Sequence, residues 1–303
     1  KITSPGKLPL QENYLSRKIT RRKITSPGKL PLQENYLSRK ITRRKITRRA
    51  ITRYLRARFM NLALDIGNTR VKIGLFQDKT LVEQTVWTDW TLSELLDYGN
   101  QAGVTRVIVS SVAEPDAGLM EGLAEHFRVL ELTHQTSLPF DNRYRTPHTL
   151  GKDRLAAVAG AQALWPGESC LVIDCGTCIK YDLLTADGIY PGGNIAPGLW
   201  MRIQAMHHFT ARLPEVPMKM PTDWIGDSTE TALQNGALRG ASLEIEGFVQ
   251  RFRQQVESLI VVLTGGDADF LKAYLDIPNL KTEPNLTLFG LNHILGLMRV
   301  DEG

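Results

Sequence analysis

The sequence predicts an α/β protein built from two similar lobes, each with a mixed β-sheet and flanking helices. The first observation is a hairpin pattern at 62–74, where an apolar strand ends in Asp65, a Gly-Asn-Thr turn follows, and a second strand begins. The second observation is a related hairpin at 171–181, in which Asp174 precedes Cys-Gly-Thr. Because helix and strand patterns alternate after both hairpins, we expect the two halves to share one topology.

The first lobe is predicted to have the order βββαβαβ. Thr91, followed three residues later by Glu94, forms a capping-box pattern that marks the start of a helix. The strands are predicted at 61–66, 71–77, 80–87, 106–110 and 129–132, and the helices at 91–102 and 115–127.

A polar, proline-containing loop at 136–149 is predicted to precede the second lobe. The third strand of the second lobe is predicted at 189–190, after an Asp-Gly turn, and the Gly- and Pro-rich segment that follows is expected to break the chain. The other strands are predicted at 170–174, 178–184, 260–263 and near 280, the helices at 150–164, 198–208, 228–256, 268–274 and 288–299, and a Pro-rich connection at 211–227.

The charge of the chain is unevenly distributed. Residues 1–59 carry 18 Lys and Arg against two Glu, whereas residues 60–303 carry 19 basic and 30 acidic side chains. Residues 1–22 recur unchanged as 23–44, and a perfect repeat with few large apolar residues can bury little surface. We expect 1–59 to be an artefactual or disordered basic leader, translated from upstream repeat DNA or added in cloning, with Met60 as the true start. The alternative is a basic arm for nucleic acid or an anionic membrane.

We therefore expect two lobes, at 60–149 and 150–303, with no nucleic-acid or membrane partner for residues 60–303. The three cysteines (Cys170, Cys175 and Cys178) argue against a disulfide framework, and the sequence has neither a signal peptide nor an apolar run long enough for a membrane span. These features predict a cytoplasmic protein. The Cys175-x-x-Cys178 spacing leaves a redox or zinc role open, and His207-His208 leaves a metal pair open.

The first hairpin has the residue types that a phosphate site requires. Gly67 allows backbone N–H groups to approach a phosphate, Asn68 and Thr69 add side-chain donors, and Lys72 adds a positive charge. Asp65, at the end of a buried strand, could hold a hydrated Mg²⁺. The alternative is an ordinary hairpin whose polar residues satisfy the turn. The chain has neither a Walker A nor a Gly-x-Gly-x-x-Gly pattern, so those two modes of phosphate binding are not indicated.

Two further segments could take part in chemistry. Asp153 at a predicted helix start could accept a proton from a hydroxyl group while Arg154 holds an anionic group; the alternative is a helix-capping Asp beside a solvated Arg. Gly265 and Gly266, between a predicted strand and helix, could lie against a nucleotide base or ribose; the alternative is a tight turn.

In combination, these motifs resemble those of type III pantothenate kinases. The resemblance runs from Met60 to about Met298 and includes five motifs, in order Asp65-Ile-Gly-Asn-Thr-Arg-Val-Lys72, Tyr144-x-x-Pro147-x-x-x-Gly151-x-Asp153-Arg154, Asp174-x-Gly-Thr177, Gly192-Gly193-x-Ile195-x-Pro197-Gly198 and Thr264-Gly-Gly266. It implies the actin-like, ribonuclease H-like ATPase fold with two ATPase-like lobes, a homodimer, and ATP-dependent phosphorylation of the 4′-hydroxyl of pantothenate in the first step towards coenzyme A.

The resemblance also implies residue roles. Asp153 would be the general base, and Asp174 would coordinate a monovalent cation, K⁺ or NH₄⁺, in addition to the Mg²⁺ that accompanies ATP. The segment 209–214 would reach the partner subunit's pantothenate. ATP would contact Asp65, Gly67, Asn68, Thr69, Arg70, Val71, Lys72, Thr177, Gly265 and Gly266. Pantothenate would contact Tyr144, Gly151, Lys152, Asp153, Arg154 and Thr229. The alternatives are another small-molecule kinase or phosphatase of this fold and a non-catalytic regulatory relative.

Overall fold

The structure, a computed structural model, describes residues 60–67, 70–111 and 117–298. The interpretations of the leader at 1–59 therefore lie outside the described residues. The first half contains β1 (Met60–Ile66), β2 (Val71–Gln77), β3 (Thr80–Trp87), α1 (Leu92–Gln101), β4 (Val104–Ser111), α2 (Ala117–Ala124) and β5 (Arg128–Glu131). The second half contains β6 (Asp141–Asn142), a 3₁₀ turn (Pro147–Thr149), α3 (Lys152–Leu164), β7 (Cys170–Cys175), β8 (Cys178–Leu184), β9 (Ile189–Tyr190), β10 (Gly192–Pro197), α4 (Leu199–His208), α5 (Thr229–Gln234), a π-helical turn (Asn235–Arg239), α6 (Gly240–Arg253), β11 (Ile260–Thr264), α7 (Ala268–Lys272), β12 (Lys281–Thr282) and α8 (Leu286–Leu295).

The two large sheets have the same topology. The first has the order β3-β2-β1-β4-β5 and the second the order β10-β8-β7-β11-β12. In each sheet the first three strands are antiparallel neighbours, and the last two strands run parallel to the central one. The prediction of two similar α/β lobes with mixed sheets is therefore confirmed, whereas the lobe boundary at 149/150 stays a prediction.

Helices α3 and α8 connect the two sheets. They pack against each other, α8 covers the first sheet, and α3 contacts both sheets. Side chains from Arg154 to Ala161 are buried around the whole circumference of α3, as expected for a helix enclosed by protein. A Cβ added at Gly290 of α8 would lie 1.7 Å from the carbonyl oxygen of Ala156, so glycine is what allows this close helix crossing.

The capping box predicted for the first helix is present, because Thr91 Oγ1 accepts from Glu94 N–H and Glu94 Oε2 accepts from Thr91 N–H. Ser228 likewise caps α5. The single helix predicted at 228–256 differs from the structure in two respects: a π-helical turn separates α5 from α6, and the helix ends at Arg253. The Asn235 side chain in this turn donates to the carbonyl of Asp223 and accepts from Arg239, which gives the turn hydrogen bonds that a regular helix does not need.

The strand predicted at 189–190 is present as β9, but it pairs with β6 in a separate two-stranded sheet. The third strand of the second large sheet is β10, in the segment expected to break the chain, so that expectation is wrong. A Cβ at Gly193 would lie 1.8 Å from the carbonyl oxygen of Tyr181, so this glycine marks a close backbone approach rather than a break. Since β10 is an edge strand, Pro197 is also tolerated there.

No helix in the described part of the chain combines the length and apolar character needed to cross a membrane.

Candidate active site

Three aspartates meet at the site, and each is placed by the end of a regular element. Asp65 lies near the carboxyl end of β1, Asp174 near the carboxyl end of β7, and Asp153 in the first turn of α3. Strands β1 and β7 are the central strands of their sheets, so the two lobes present equivalent carboxylates. The pKa of Asp65 is raised to about 6, mainly by burial and next by the charge of Asp153, with a smaller contribution from Asp174. The three groups therefore share one electrostatic environment.

Lys180 joins two of these carboxylates. Its ammonium nitrogen lies 2.6 Å from Asp153 Oδ2 and 2.7 Å from Asp174 Oδ2. Burial by itself lowers the pKa of Lys180, but the charges of Asp174 and Asp153 outweigh this effect, and the pKa is raised above its ordinary value. The second oxygen of Asp153, Oδ1, accepts the backbone N–H of Arg154 at 2.9 Å, so both oxygens of Asp153 have fixed partners.

Lys72 has the equivalent position in the first hairpin. It lies opposite Asp65 in the β1–β2 register, as Lys180 lies opposite Asp174 in the β7–β8 register. The Lys72 ammonium group donates to the carbonyl oxygen of Pro284, before α8. Burial lowers the pKa of Lys72, and the nearby charge of Asp65 only partly opposes this effect. Lys72 therefore provides positive charge beside Asp65 without a fixed carboxylate partner of the kind that Lys180 has.

The two glycine-containing turns approach each other across the site. The N–H group of Gly67 donates to the carbonyl of Arg70 within the β1–β2 turn. Arg70 is exposed, and its Nη2 atom lies 3.9 Å from the position that a Cβ would take on Gly266, in the β11–α7 turn. Gly265 has φ +95°, and a Cβ there would lie 2.5 Å from Asp174 Oδ1, so this turn packs directly against the second aspartate. The predicted ATP-contacting glycines and Arg70 thus line one region.

An aromatic and ionic network adjoins Asp153. Arg154 is buried, with Nη2 2.6 Å and Nε 3.0 Å from Asp182 Oδ1, and the hydroxyl of Tyr190 donates to the same oxygen at 2.7 Å. Tyr144 stacks on Tyr190 with 6.3 Å between ring centroids, and the Arg154 guanidinium carbon lies 5.4 Å from the centroid of the Tyr144 ring. This network places Tyr144 beside the helix start that carries Asp153.

Known proteins are similar in sequence to most of this chain. The family described as type III pantothenate kinase matches residues 61–251. The type III pantothenate kinase of Christiangramia forsetii is 41% identical over 238 residues, which cover 78% of this chain and 98% of the relative. That of Phocaeicola vulgatus is 40% identical over 237 residues, which cover 78% of this chain and 98% of the relative.

The chain belongs to the type III pantothenate kinase family. Membership of this kinase family argues against the alternative of a non-catalytic regulatory relative. Among solved structures, a Campylobacter jejuni protein described as a conserved Baf family transcriptional activator is similar, with 24% identity, a TM-score of 0.52, and coverage of 78% of this chain and 97% of that chain. At this identity the likeness supports the fold alone.

The predicted site residues differ in how the structure places them. Asn68 and Thr69 lie outside the described residues. The Val71 side chain is fully buried in the core of the first lobe, so only its backbone can face a ligand. Thr177 is exposed in the β7–β8 turn, and its carbonyl accepts from Gly198 N–H. Thr229 is exposed at the start of α5, and in the part of the chain that the structure describes no hydrogen bond or ion pair joins it to the three aspartates.

The start of α3 contributes the remaining predicted residues. Gly151 is the N-cap residue, and a Cβ there would lie 2.4 Å from Asp153 Oδ1, so glycine leaves room for this carboxylate. Lys152 is half-buried, and its ammonium nitrogen lies 3.3 Å from Glu131 Oε1. Arg154 is buried and has its anionic partner within the protein, in Asp182, so the alternative of a solvated Arg is wrong.

The metal interpretations of the cysteine and histidine pairs receive no support. Cys175 is buried, and burial raises the pKa of its thiol, which disfavours the reactive thiolate. His207 Nδ1 lies 2.7 Å from the carbonyl oxygen of Leu213, a local loop contact. Among the residues that the structure describes, no group of three or more His, Cys, Asp and Glu side chains has the geometry of a metal site.

Sequence reasoning missed two charged residues, Lys180 and Asp182. A signal for Lys180 was present, because each hairpin carries a lysine shortly after its aspartate: Lys72 is seven residues after Asp65, and Lys180 six after Asp174. The shorter second turn preserves the cross-strand pairing.

Proposed function

We propose that this chain transfers the γ-phosphoryl group of ATP to the 4′-hydroxyl of pantothenate, forming 4′-phosphopantothenate in the first step towards coenzyme A. The observation that carries the proposal is the convergence of Asp153, at a helix start, with the two hairpin aspartates Asp65 and Asp174. The family match and the names of the relatives support pantothenate as the substrate rather than that of another kinase of this fold.

In this proposal Asp153 is the general base. The backbone N–H of Arg154 and the ammonium group of Lys180 hold one carboxylate oxygen each, which fixes the plane of the carboxylate. As the oxygen–phosphorus bond forms, the hydroxyl proton passes to Asp153 and ADP leaves with the β–γ bridging oxygen. Phosphoryl transfer depends mainly on such positioning and on neutralising charge, so a fixed carboxylate suits the reaction.

The triphosphate would lie between the two glycine-containing turns. Gly67, Arg70, Lys72, Thr177, Gly265 and Gly266 would contact it, together with the backbone of Val71 and with Asn68 and Thr69. Lys72 is suited to this role. Burial lowers its pKa, and an anionic ligand nearby would raise the pKa again and stabilise the charged ammonium form.

The donor set fits a Mg²⁺ ion brought in with ATP. Asp65 is a partly buried carboxyl group whose pKa is raised towards neutrality, and a divalent cation would favour its ionised form. Mg²⁺ is usually held by one or two carboxylates and the substrate phosphates, so Asp65 would suffice as a main protein ligand. When bound, the ion would neutralise charge on the transferring phosphoryl group.

The surroundings of Asp174 do not fit a free monovalent cation. Asp174 Oδ2 is 2.7 Å from the Lys180 ammonium nitrogen, and the side chain is only 17% exposed. The carboxylate expected to bind K⁺ or NH₄⁺ therefore already has a monovalent cationic partner supplied by the chain.

Pantothenate would bind beside α3. Gly151 and Lys152 directly precede Asp153 at the start of α3, and the Tyr144 ring lies over the neighbouring Arg154. These three residues could contact the substrate, and Lys152 offers a charge for the substrate carboxylate. Arg154 would act by fixing Tyr144 and the backbone of Asp153, since its guanidinium group is held by Asp182. Thr229 would be a further substrate contact, and the support for this role is the family resemblance.

A homodimer is also proposed. The exposed apolar side chains of Trp200 (47% exposed) and Phe209 (81% exposed) on and after α4 support an interface, and the segment 209–214 would reach the partner's substrate. The cysteines that the structure describes form no disulfide bonds, which supports a location in a reducing compartment such as the cytoplasm.

The test is ATP-dependent phosphorylation of pantothenate by the full chain, followed by mass spectrometry of the product. We expect Asp153→Asn to lower kcat by about 100-fold or more, as for the loss of a general base, in a variant that circular dichroism shows to be folded. Lys272→Met, at an exposed site on α7, is the control for an unrelated charge change. Turnover of hexoses or short acyl acids but not of pantothenate would favour the other kinases of the fold, and near-normal turnover by Asp153→Asn would remove Asp153 from its role.

A further inference from the structure

Lys180 occupies a built ionic site rather than a surface position. Its side chain is 18% exposed, and those of its partners Asp153 and Asp174 are 28% and 17% exposed. The cross-strand register of β7 and β8 places Lys180 directly opposite Asp174, and the start of α3 brings Asp153 to the same ammonium group. Three separate elements thus define the position of one positive charge.

The charge at this position has two close partners. Lys180 Nζ lies 2.6 Å from Asp153 Oδ2 and 2.7 Å from Asp174 Oδ2, so two carboxylates hold one ammonium group. Partly buried ion pairs are screened less by salt than exposed ones, so dissolved cations compete poorly for these oxygens.

An ammonium ion and a potassium ion carry the same unit charge and both bind carboxylate oxygens. A lysine ammonium group tied to the chain has a much higher effective concentration than a dissolved ion. We propose that Lys180 is a built-in monovalent cation, which replaces the free K⁺ or NH₄⁺ expected at Asp174 and holds Asp153 in position for the proton transfer. This inference rests on the proposed function, because it assigns Lys180 a role in the same reaction as a positioning residue.

The first lobe offers an internal comparison. Lys72 occupies the equivalent cross-strand position, but its ammonium group donates to the Pro284 carbonyl, and its pKa is lowered rather than raised. The same cross-strand pair is therefore used in two ways: no carboxylate among the described residues forms an ion pair with Lys72, whereas Lys180 links two carboxylates.

The first test measures the initial rate of the full-length wild-type chain with Mg²⁺-ATP and pantothenate in the chlorides of K⁺, NH₄⁺, Na⁺ and tetramethylammonium at equal ionic strength. We expect the four rates to agree within about twofold, the range of non-specific salt effects. A rate at least about tenfold higher in K⁺ than in tetramethylammonium would overturn the inference, because the chain would then require a dissolved cation.

The second test removes the charge. We expect Lys180→Met to lower kcat by about 100-fold in tetramethylammonium, as for loss of a preorganised charge, with a smaller effect on KM for pantothenate. K⁺ or NH₄⁺ should raise the kcat of Lys180→Met at least about tenfold above its value in tetramethylammonium, because the vacated position can accept a free ion. Lys272→Met should show no such response, and loss of activity in Lys180→Met without recovery in any cation would contradict the cation role.

A binding readout separates this inference from the proposed function. In the absence of substrates, rising K⁺ at constant ionic strength should raise the thermal midpoint of Lys180→Met but leave that of the wild type unchanged, because a ligand stabilises only the form that binds it. If Lys180→Met does not fold, Lys180→Gln replaces it, and the wild-type measurement stands by itself. Absence of turnover in every cation would refute the proposed substrate, whereas K⁺-dependent stabilisation of the wild type would refute the role of Lys180.

Discussion

The crossing of α3 and α8 provides a quantitative test of how glycine allows the two sheets to be joined. Substitution of Gly290 by Ala adds one methyl group, whose carbon would lie 1.7 Å from the Ala156 carbonyl oxygen and 2.6 Å from Gly160 N. A normal carbon–oxygen contact is about 3.3 Å or longer, so the helices must separate by roughly 1.5 Å. The obstacle is backbone, which cannot rotate away as a side chain can.

Two opposing effects set the magnitude. Alanine is favoured over glycine inside a helix by about 1 kcal/mol. Overpacking of a core typically costs about 1–3 kcal/mol, and an obstructing carbonyl places this site at the upper end or beyond it. We therefore expect Gly290→Ala to lower the free energy of unfolding by about 2 kcal/mol or more.

Urea unfolding, followed by far-UV circular dichroism, measures the difference. The matched control is Gly247→Ala in the exposed middle of α6, where an added Cβ meets no atom within 4 Å. This variant should be more stable than the wild type by about 0.5–1 kcal/mol, since only helix propensity changes. If Gly290→Ala is as stable as Gly247→Ala, the close crossing is not needed and the reasoning fails.

Two further predictions concern Asp182, which is buried, and His293, which is half-buried. Asp182→Asn should lower the free energy of unfolding by about 3–5 kcal/mol, because it leaves the buried guanidinium group of Arg154 without its charge partner; chemical denaturation measures this, and a loss below about 1 kcal/mol would show that the pair adds little. Burial, reinforced by the charge of Lys79, lowers the pKa of His293 below 6.5. The unfolded chain then binds more protons, so stability should fall as the pH drops below 6.5, and His293→Gln should make this fall shallower in thermal melts. The same change at exposed His134 is the control, and equal slopes for His293→Gln and the wild type would exclude the effect.

Most of the fold could be predicted from local patterns, because the strands and helices have apolar periodicities of their own and a capping box marks the start of α1. The failures arose where long-range packing overrides a local rule. Glycine and proline ordinarily break strands, yet Gly193 is required in β10 by the nearby Tyr181 carbonyl. The pairing of β9 with β6 depends on a loop that returns from the preceding part of the chain, and no periodicity in two-residue strands can show this.

The candidate site was predictable to a similar degree. Motif order was enough to bring Asp65, Asp153 and Asp174 together, because each follows or begins a predicted element. The alternation of side chains along β2 would also have shown that Val71 and Lys72 face opposite ways, and that Val71 belongs to the core. The link from Lys180 to Asp153 was not predictable, since it depends on the angle at which α3 meets the second sheet.

The opposite pKa shifts of the two hairpin lysines indicate how the two lobes divide the work. Lys72 and Lys180 occupy equivalent cross-strand positions, and burial lowers the pKa of both. Only Lys180 has two carboxylate oxygens within 2.7 Å, and these reverse the effect. Lys72 is therefore the group whose charged form has most to gain from an incoming anion, which suits the triphosphate of ATP. Lys180 is already neutralised and has little to gain, so its charge is better suited to holding the base than to binding the nucleotide.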